Sequence, residues 1–149
     1  GGRSGGGSGG GAPGRSVSLE VDAVHALLTR HNLSLAHLIP HAEVWIGQAA
    51  DTIPRLVEDL GEGSVIFAFM DHRGTRFHSD FFRLQRHSVT LPNFTHVCDN
   101  TLKPGAPLCL WLVAQCRGST PSSVGNWSLN EFAHWNSEDW MLVNAGAGD

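Results

Sequence analysis

Asp71 directly follows the most apolar run of the chain, Val65-Ile-Phe-Ala-Phe-Met70. Asp99 and Asn100 follow a second run, Asn93 to Cys98. If both runs are neighbouring strands of one sheet, three oxygen donors emerge at adjacent strand ends and can converge on one point. Two carboxylates and an amide are hard oxygen ligands, suited to Mg²⁺ with waters and substrate completing an octahedron. Each residue alone is as readily a turn former or a helix cap, so the combination is what points to a metal. Glu20 ends a third run, Ser16-Val-Ser-Leu-Glu20. An acidic residue placed there bonds ribose hydroxyls in dinucleotide-type folds, or is simply a solvated charge at a strand end.

Proton acceptors are scarce. Lys103 is the only lysine of the chain, and arginine stays protonated and makes a poor base. His72, next to Asp71, is a side chain that can take a proton near neutral pH. The three cysteines, Cys98, Cys109 and Cys116, form no CxxC pair. That spacing argues against a zinc site and a disulfide framework, and favours a reducing compartment, with the cytoplasm as the expected location.

The elements that must position these groups follow from apolar spacing. Residues Gly1 to Arg15 are mostly Gly and Ser and bury too little to offset their ordering entropy. They read as a flexible tail ahead of a partial domain spanning 16–149. A phosphate-cradling role for the glycines would need a preceding strand and a following helix, and here a strand follows. Val21 to His31 reads as a helix, with Val21, Val24, Leu27 and Leu28 at helical spacing. Glu43 to Ile46 is a strand ended by Gly47, and Asp51 caps a helix with Pro54 in its first turn. Val65 to Met70 reads as a strand buried on both faces, Ser79 to His87 as a helix, Asn93 to Cys98 as a strand and Pro107 to Cys116 as a helix. Val124 to Leu129 and Asp139 to Val143 form two final strands, expected as an antiparallel edge pair. Strand–helix alternation predicts an α/β fold with a mostly parallel sheet, whose ligand site lies beyond the carboxyl ends of the strands.

The net charge of -4 and the absence of a basic patch exclude a nucleic-acid partner. No apolar run approaches the roughly 18 residues of a membrane span.

These residues also carry a resemblance. Ile39-Pro-His-Ala-Glu-Val-Trp-Ile-Gly-Gln-Ala-Ala-Asp-Thr-Ile-Pro-Arg-Leu56, Phe69-Met-Asp-His-Arg-Gly-Thr-Arg-Phe77 and Asp99-Asn-Thr-Leu-Lys-Pro-Gly-Ala-Pro107 resemble the catechol O-methyltransferase family, without a gap from Glu20 to Pro107. The resemblance implies a Rossmann-like S-adenosylmethionine-dependent methyltransferase fold. It implies methyl transfer from S-adenosylmethionine to a catechol-like small molecule, with Mg²⁺ holding the hydroxyls and lowering the pKa of the attacking one. Glu20 would bond the cofactor ribose, His72 would lie beside the adenine, and Asp71, Asp99 and Asn100 would hold Mg²⁺, with Asp71 also bordering the cofactor. Glu131, in Asn130-Glu-Phe132, would match the carboxylate that bonds a substrate hydroxyl.

The chain departs from the family pattern in three places. The family's catalytic lysine falls at Gly74, which leaves Lys103 and Glu131 as the candidate catalytic residues. The adenine-contacting Ser-Gln pair falls at Ala49-Ala50. The family's first strand and its Gly-rich turn have no counterpart. A parallel sheet without that strand has two unpaired edges, which a protein partner could cover. Two readings of another class therefore stand beside the enzyme: a non-catalytic pseudo-methyltransferase scaffold, and a divalent-metal or small-ligand binding module.

Overall fold

The computed structural model describes residues 14–116, 126–134 and 137–145. They fall into two compact units, Gly1–Ala49 and Ala50–Asp149.

In the first unit, strand β1 (Ser16–Glu20) pairs in parallel with β2 (Ala42–Ile46), connected by helix α1 (Ala23–Leu35). The helix starts where Asp22 accepts hydrogen bonds from the backbone N–H groups of Val24 and His25. These satisfy donors that have no partner inside the helix. α1 runs four residues beyond the expected end at His31. Arg30 ties it to the sheet by donating from Nε to the Val44 carbonyl at 3.2 Å, and Ala26 is its buried residue. The apolar stripe read from the sequence faces outward: Val21, Val24, Leu27 and Leu28 are all more than half exposed. A two-stranded sheet is too narrow to cover a four-residue stripe, so the small Ala26 makes the close approach instead.

In the second unit, helix α2 (Ala49–Leu60) precedes β3 (Val65–Met70), α3 (Gly74–Arg86), β4 (Thr90–Cys98), α4 (Pro107–Cys116), β5 (Asn126–His134) and β6 (Ser137–Ala145). Their sheet has the order β3-β4-β6-β5. β3 and β4 are parallel, while β6 runs antiparallel to both β4 and β5. The expected mixture, parallel strands with an antiparallel C-terminal edge, is what the molecule has. The core of this unit includes Ile53, Leu56, Met70, Phe77, Leu84, Val89, Phe94 and Leu142, all nearly inaccessible.

Three of the boundaries that differ from expectation have a physical reason. α2 begins at Ala49, two residues before Asp51, because Ala49 and Ala50 are strong helix formers. Pro54 then lies inside the helix and forfeits one backbone bond. α3 begins at Gly74, five residues before Ser79, since Gly-Thr-Arg carries no apolar signal. β4 begins at Thr90 and includes Pro92. Its ladder with β3 shifts register between Val65 and Phe67, as expected where a proline cannot donate.

Candidate active site

The parallel register Met70↔Cys98 brings the two strands to an end together, and Asp99 N still donates to Met70 O at 2.9 Å. Asp71 and Asp99 therefore emerge side by side at the carboxyl ends of β3 and β4. Asn100 adopts a left-handed conformation (φ 54, ψ 32), which asparagine tolerates better than most residues. Its backbone N–H donates to Asp99 Oδ1 at 2.7 Å. Its side-chain amide nitrogen lies 3.0 Å from Asp71 Oδ1. The structure thus joins Asp71 to Asn100, and Asn100 to Asp99. Asp71 is exposed and Asp99 buried. Among the described residues, no group of three or more His, Cys, Asp and Glu side chains gathers as a metal site; the cluster found here has only two such groups, with an amide as its third.

The backbone beyond Asn100 forms one wide helical turn, Thr101–Gly105, interrupted at Lys103 and containing a cis Lys103–Pro104 bond. Thr101 anchors it: its side chain is fully buried and its hydroxyl donates to Trp140 O at 2.8 Å. Lys103 is exposed on this turn.

His72 continues the chain from Asp71. Its Nε2 lies 2.9 Å from Asp80 Oδ2, and its ring meets Phe77 edge-on at 5.0 Å between centroids. Arg83 donates to the other oxygen of Asp80 at 2.6 Å. Burial pushes the Asp80 carboxyl up, but the hydrogen bonds and charges of His72 and Arg83 outweigh it and hold it below the ordinary range. The sequence reading missed Asp80. The signal was available: Asp80 is the only acidic residue of α3, spaced with Phe77 and Leu84 on the buried face.

Behind these groups, His96 is fully buried and stacks on Phe81 at 4.9 Å and Phe94 at 5.9 Å. Desolvation, with a smaller push from the charge of His72, lowers its pKa to about 4, so it is neutral near pH 7. Cys98 lies 3.5 Å from His96 Nε2 and shares a thiol–thiol hydrogen bond with Cys109 of α4. That bond, together with burial, pushes the Cys98 thiol up, while the same bond pulls Cys109 down.

Three further positions carry expectations from the sequence. Glu20, in the first unit, ends β1 as expected, and its Oε1 accepts from the Asp22 backbone N–H at 2.9 Å. Glu131 lies on β5 in register with Trp140, and its side chain falls outside the described residues. Gly74 opens α3 against the Thr101–Gly105 turn.

No family model matches the chain. It is similar to the catechol O-methyltransferase of Mus musculus, 27% identical over 114 residues, covering 76% of this chain and 42% of that protein. It is also similar to the catechol O-methyltransferase of Niastella koreensis, 32% identical over 98 residues, covering 64% of this chain and 42% of that protein. The chain spans less than half the length of these curated relatives. Among solved structures, an O-methyltransferase from Bacillus cereus in complex with SAH superposes with a TM-score of 0.74 at 19% identity, covering 90% of this chain and 64% of that one. The O-methyltransferase TomG from Streptomyces achromogenes, in complex with SAM, gives 0.76 at 16% identity, covering 91% and 63%. By sequence the chain is similar to the catechol O-methyltransferases, and its fold is the Rossmann-like fold of the O-methyltransferases it superposes on.

Proposed function

We propose that the chain forms the metal-binding and adenine-facing part of an S-adenosylmethionine-dependent O-methyltransferase acting on a catechol-like hydroxyl. The observation that carries this reading is the contact between Asp71 and Asn100 at the paired ends of β3 and β4. Turning the Asn100 amide over exchanges its nitrogen and oxygen without moving other atoms. Its oxygen then stands 3.0 Å from Asp71 Oδ1. In an octahedron with metal–oxygen distances of about 2.1 Å, adjacent oxygens stand about 3.0 Å apart. Asp71, Asp99 and the turned Asn100 amide would thus supply three hard oxygen donors to Mg²⁺.

Bound there, Mg²⁺ would lower the pKa of a coordinated hydroxyl and make it a better nucleophile. The chain's own residues supply placement. Asp71, Asp99 and Asn100 would hold the ion and so orient the acceptor oxygen; by the family resemblance, His72 would border the adenine and Glu20 would bond the ribose. Lys103 and Glu131 are the candidates for taking the hydroxyl proton and holding the second hydroxyl. A protein partner would cover the exposed edge of β3. The buried, unbridged thiols of Cys98 and Cys109 support a reducing compartment such as the cytoplasm. Among the described residues, no helix is long and apolar enough to cross a membrane.

A specific observation favours a second reading, a non-catalytic relative that keeps the cofactor and metal groups. Gly74 has no room for a side chain, so the family's lysine is excluded there by the fold. Calorimetry with S-adenosylmethionine, with and without Mg²⁺, tests the first reading. The protein should be this chain and a longer version carrying the relatives' preceding segment. Mg²⁺-enhanced binding by the longer protein is expected, and binding by neither would overturn the reading. A catechol methylation assay then separates enzyme from non-catalytic relative.

A further inference from the structure

Asp80 is 4% exposed, and both of its oxygens are engaged, Oδ2 with His72 and Oδ1 with Arg83. A carboxylate taken out of water is tolerated when it is paired and hydrogen-bonded. Arg83 supplies the charge and one hydrogen bond, which fixes the carboxylate. The carboxylate in turn meets the imidazole, and Phe77 packs against the same ring. An ionised carboxylate can only accept hydrogen bonds. Nε2 of His72 must therefore carry the proton, and a neutral ring then keeps its lone pair on Nδ1.

We propose that Asp80 is a positioning residue, held by Arg83, that fixes the orientation and tautomer of His72 so that Nδ1 is offered as an acceptor to the exocyclic amine of the cofactor's adenine. The ligand half of this inference rests on the proposed reading of His72 as the adenine neighbour. It predicts a preference for a 6-amino purine over a 6-oxo purine, because a carbonyl facing a lone pair has no proton to share.

Nitrogen-15 NMR of the imidazole rings at pH 8, on the full 149-residue chain, tests the first half without any cofactor. The wild-type His72 is expected as a single Nε2–H tautomer, and Asp80→Ala should give a mixture. Asp80→Asn keeps the side-chain shape and serves if the alanine variant does not fold. A wild-type ring that already averages both tautomers, or carries its proton on Nδ1, overturns the proposal. The second half is tested by titrating S-adenosylhomocysteine and its 6-oxo (inosine) analogue into wild type, D80N, H72A and the double variant. D80N should weaken the amino form about fivefold, narrow the amino-over-oxo preference, and add nothing in the H72A background. An equal loss in both backgrounds would show that Asp80 supports the fold generally and overturns the proposal. If neither the 149-residue chain nor the longer version binds either ligand, the cofactor reading fails, and the nitrogen spectra still decide whether Asp80 sets the ring.

Discussion

A Cβ built on Gly74 would lie 2.3 Å from the carbonyl oxygen of Gly105 and 3.0 Å from its carbonyl carbon. The obstacle is backbone, so no rotamer change relieves it. Helix α3 and the Thr101–Gly105 turn meet at a point that only a glycine allows, next to the strand ends that carry Asp71 and Asn100. Gly74→Ala should therefore destabilise the chain by about 1–3 kcal/mol, the usual cost of overpacking. Gly74→Lys should cost at least as much and leave methyl transfer no higher than in the parent. Urea denaturation and a methylation assay on the longer protein check both. A stable G74K protein with raised activity would show that the turn yields easily.

Mg²⁺ should raise the unfolding midpoint of the chain by mass action. At a hundredfold excess over the dissociation constant, the gain is about 2.7 kcal/mol. Asp71→Ala and Asn100→Ala should each abolish most of that gain, since each removes one of the three proposed ligands. Differential scanning fluorimetry with Mg²⁺, and with EDTA as the blank, gives the answer. A midpoint that rises equally in both variants would assign the ion to another place.

His96 makes the stability depend on pH. Its folded pKa is about 4 against an ordinary 6.5. Above pH 6.5 it is neutral whether folded or unfolded, and costs nothing. As pH falls from 6.5 to 4, the unfolded chain takes up a proton that the folded chain refuses, so stability drops. Below 4 both states bind the proton and the loss is complete. The gap amounts to on the order of 3 kcal/mol. The groups facing this ring are Cys98, Phe81 and Phe94, with the charge of His72 nearby. His96→Phe keeps a flat ring in the stack and should remove this step from a stability profile measured between pH 7 and 4. An unchanged profile would show that the step belongs to other groups.

Asp22 holds the start of α1 through two backbone N–H groups, and those bonds keep its carboxyl below the ordinary range. Asp22→Ala should speed hydrogen exchange at the first turn of α1, while Asp22→Asn should largely preserve protection because its amide oxygen can still accept. Exchange unchanged in the alanine variant would mean that the helix start is held from elsewhere.

The sequence exposed the strands and their ends more clearly than the side-chain network behind them. Val65 to Met70 is the strand expected, and an acidic residue immediately after it had to stand at the sheet's carboxyl edge; the expected burial on both faces does not hold, since β3 ends its sheet and Ile66, Phe67 and Phe69 are at least half exposed. That alone located Asp71, and the same logic located Asp99 and Asn100. The pairing of Asn100 with Asp71, 29 residues apart, needed the parallel register. Asp80 was passed over because helical periodicity counts apolar residues, and a buried carboxylate enters that pattern as a polar interruption. Its partners lie eight residues back and three forward, and only the fold shows that both point at it. The apolar stripe of α1 failed in the opposite sense, since periodicity shows that a face is apolar but not that anything covers it.

β3 ends the order of its sheet, with Ile66, Phe67 and Phe69 each at least half exposed. Six consecutive residues there carry no charge, no proline and no glycine, the composition that drives stacking into cross-β fibrils. Colloidal behaviour follows from this one strand. At high concentration the chain should self-associate through Val65–Met70, nucleating slowly and then growing. A single lysine at Ile66 would act as a gatekeeper, extending the lag before turbidity appears.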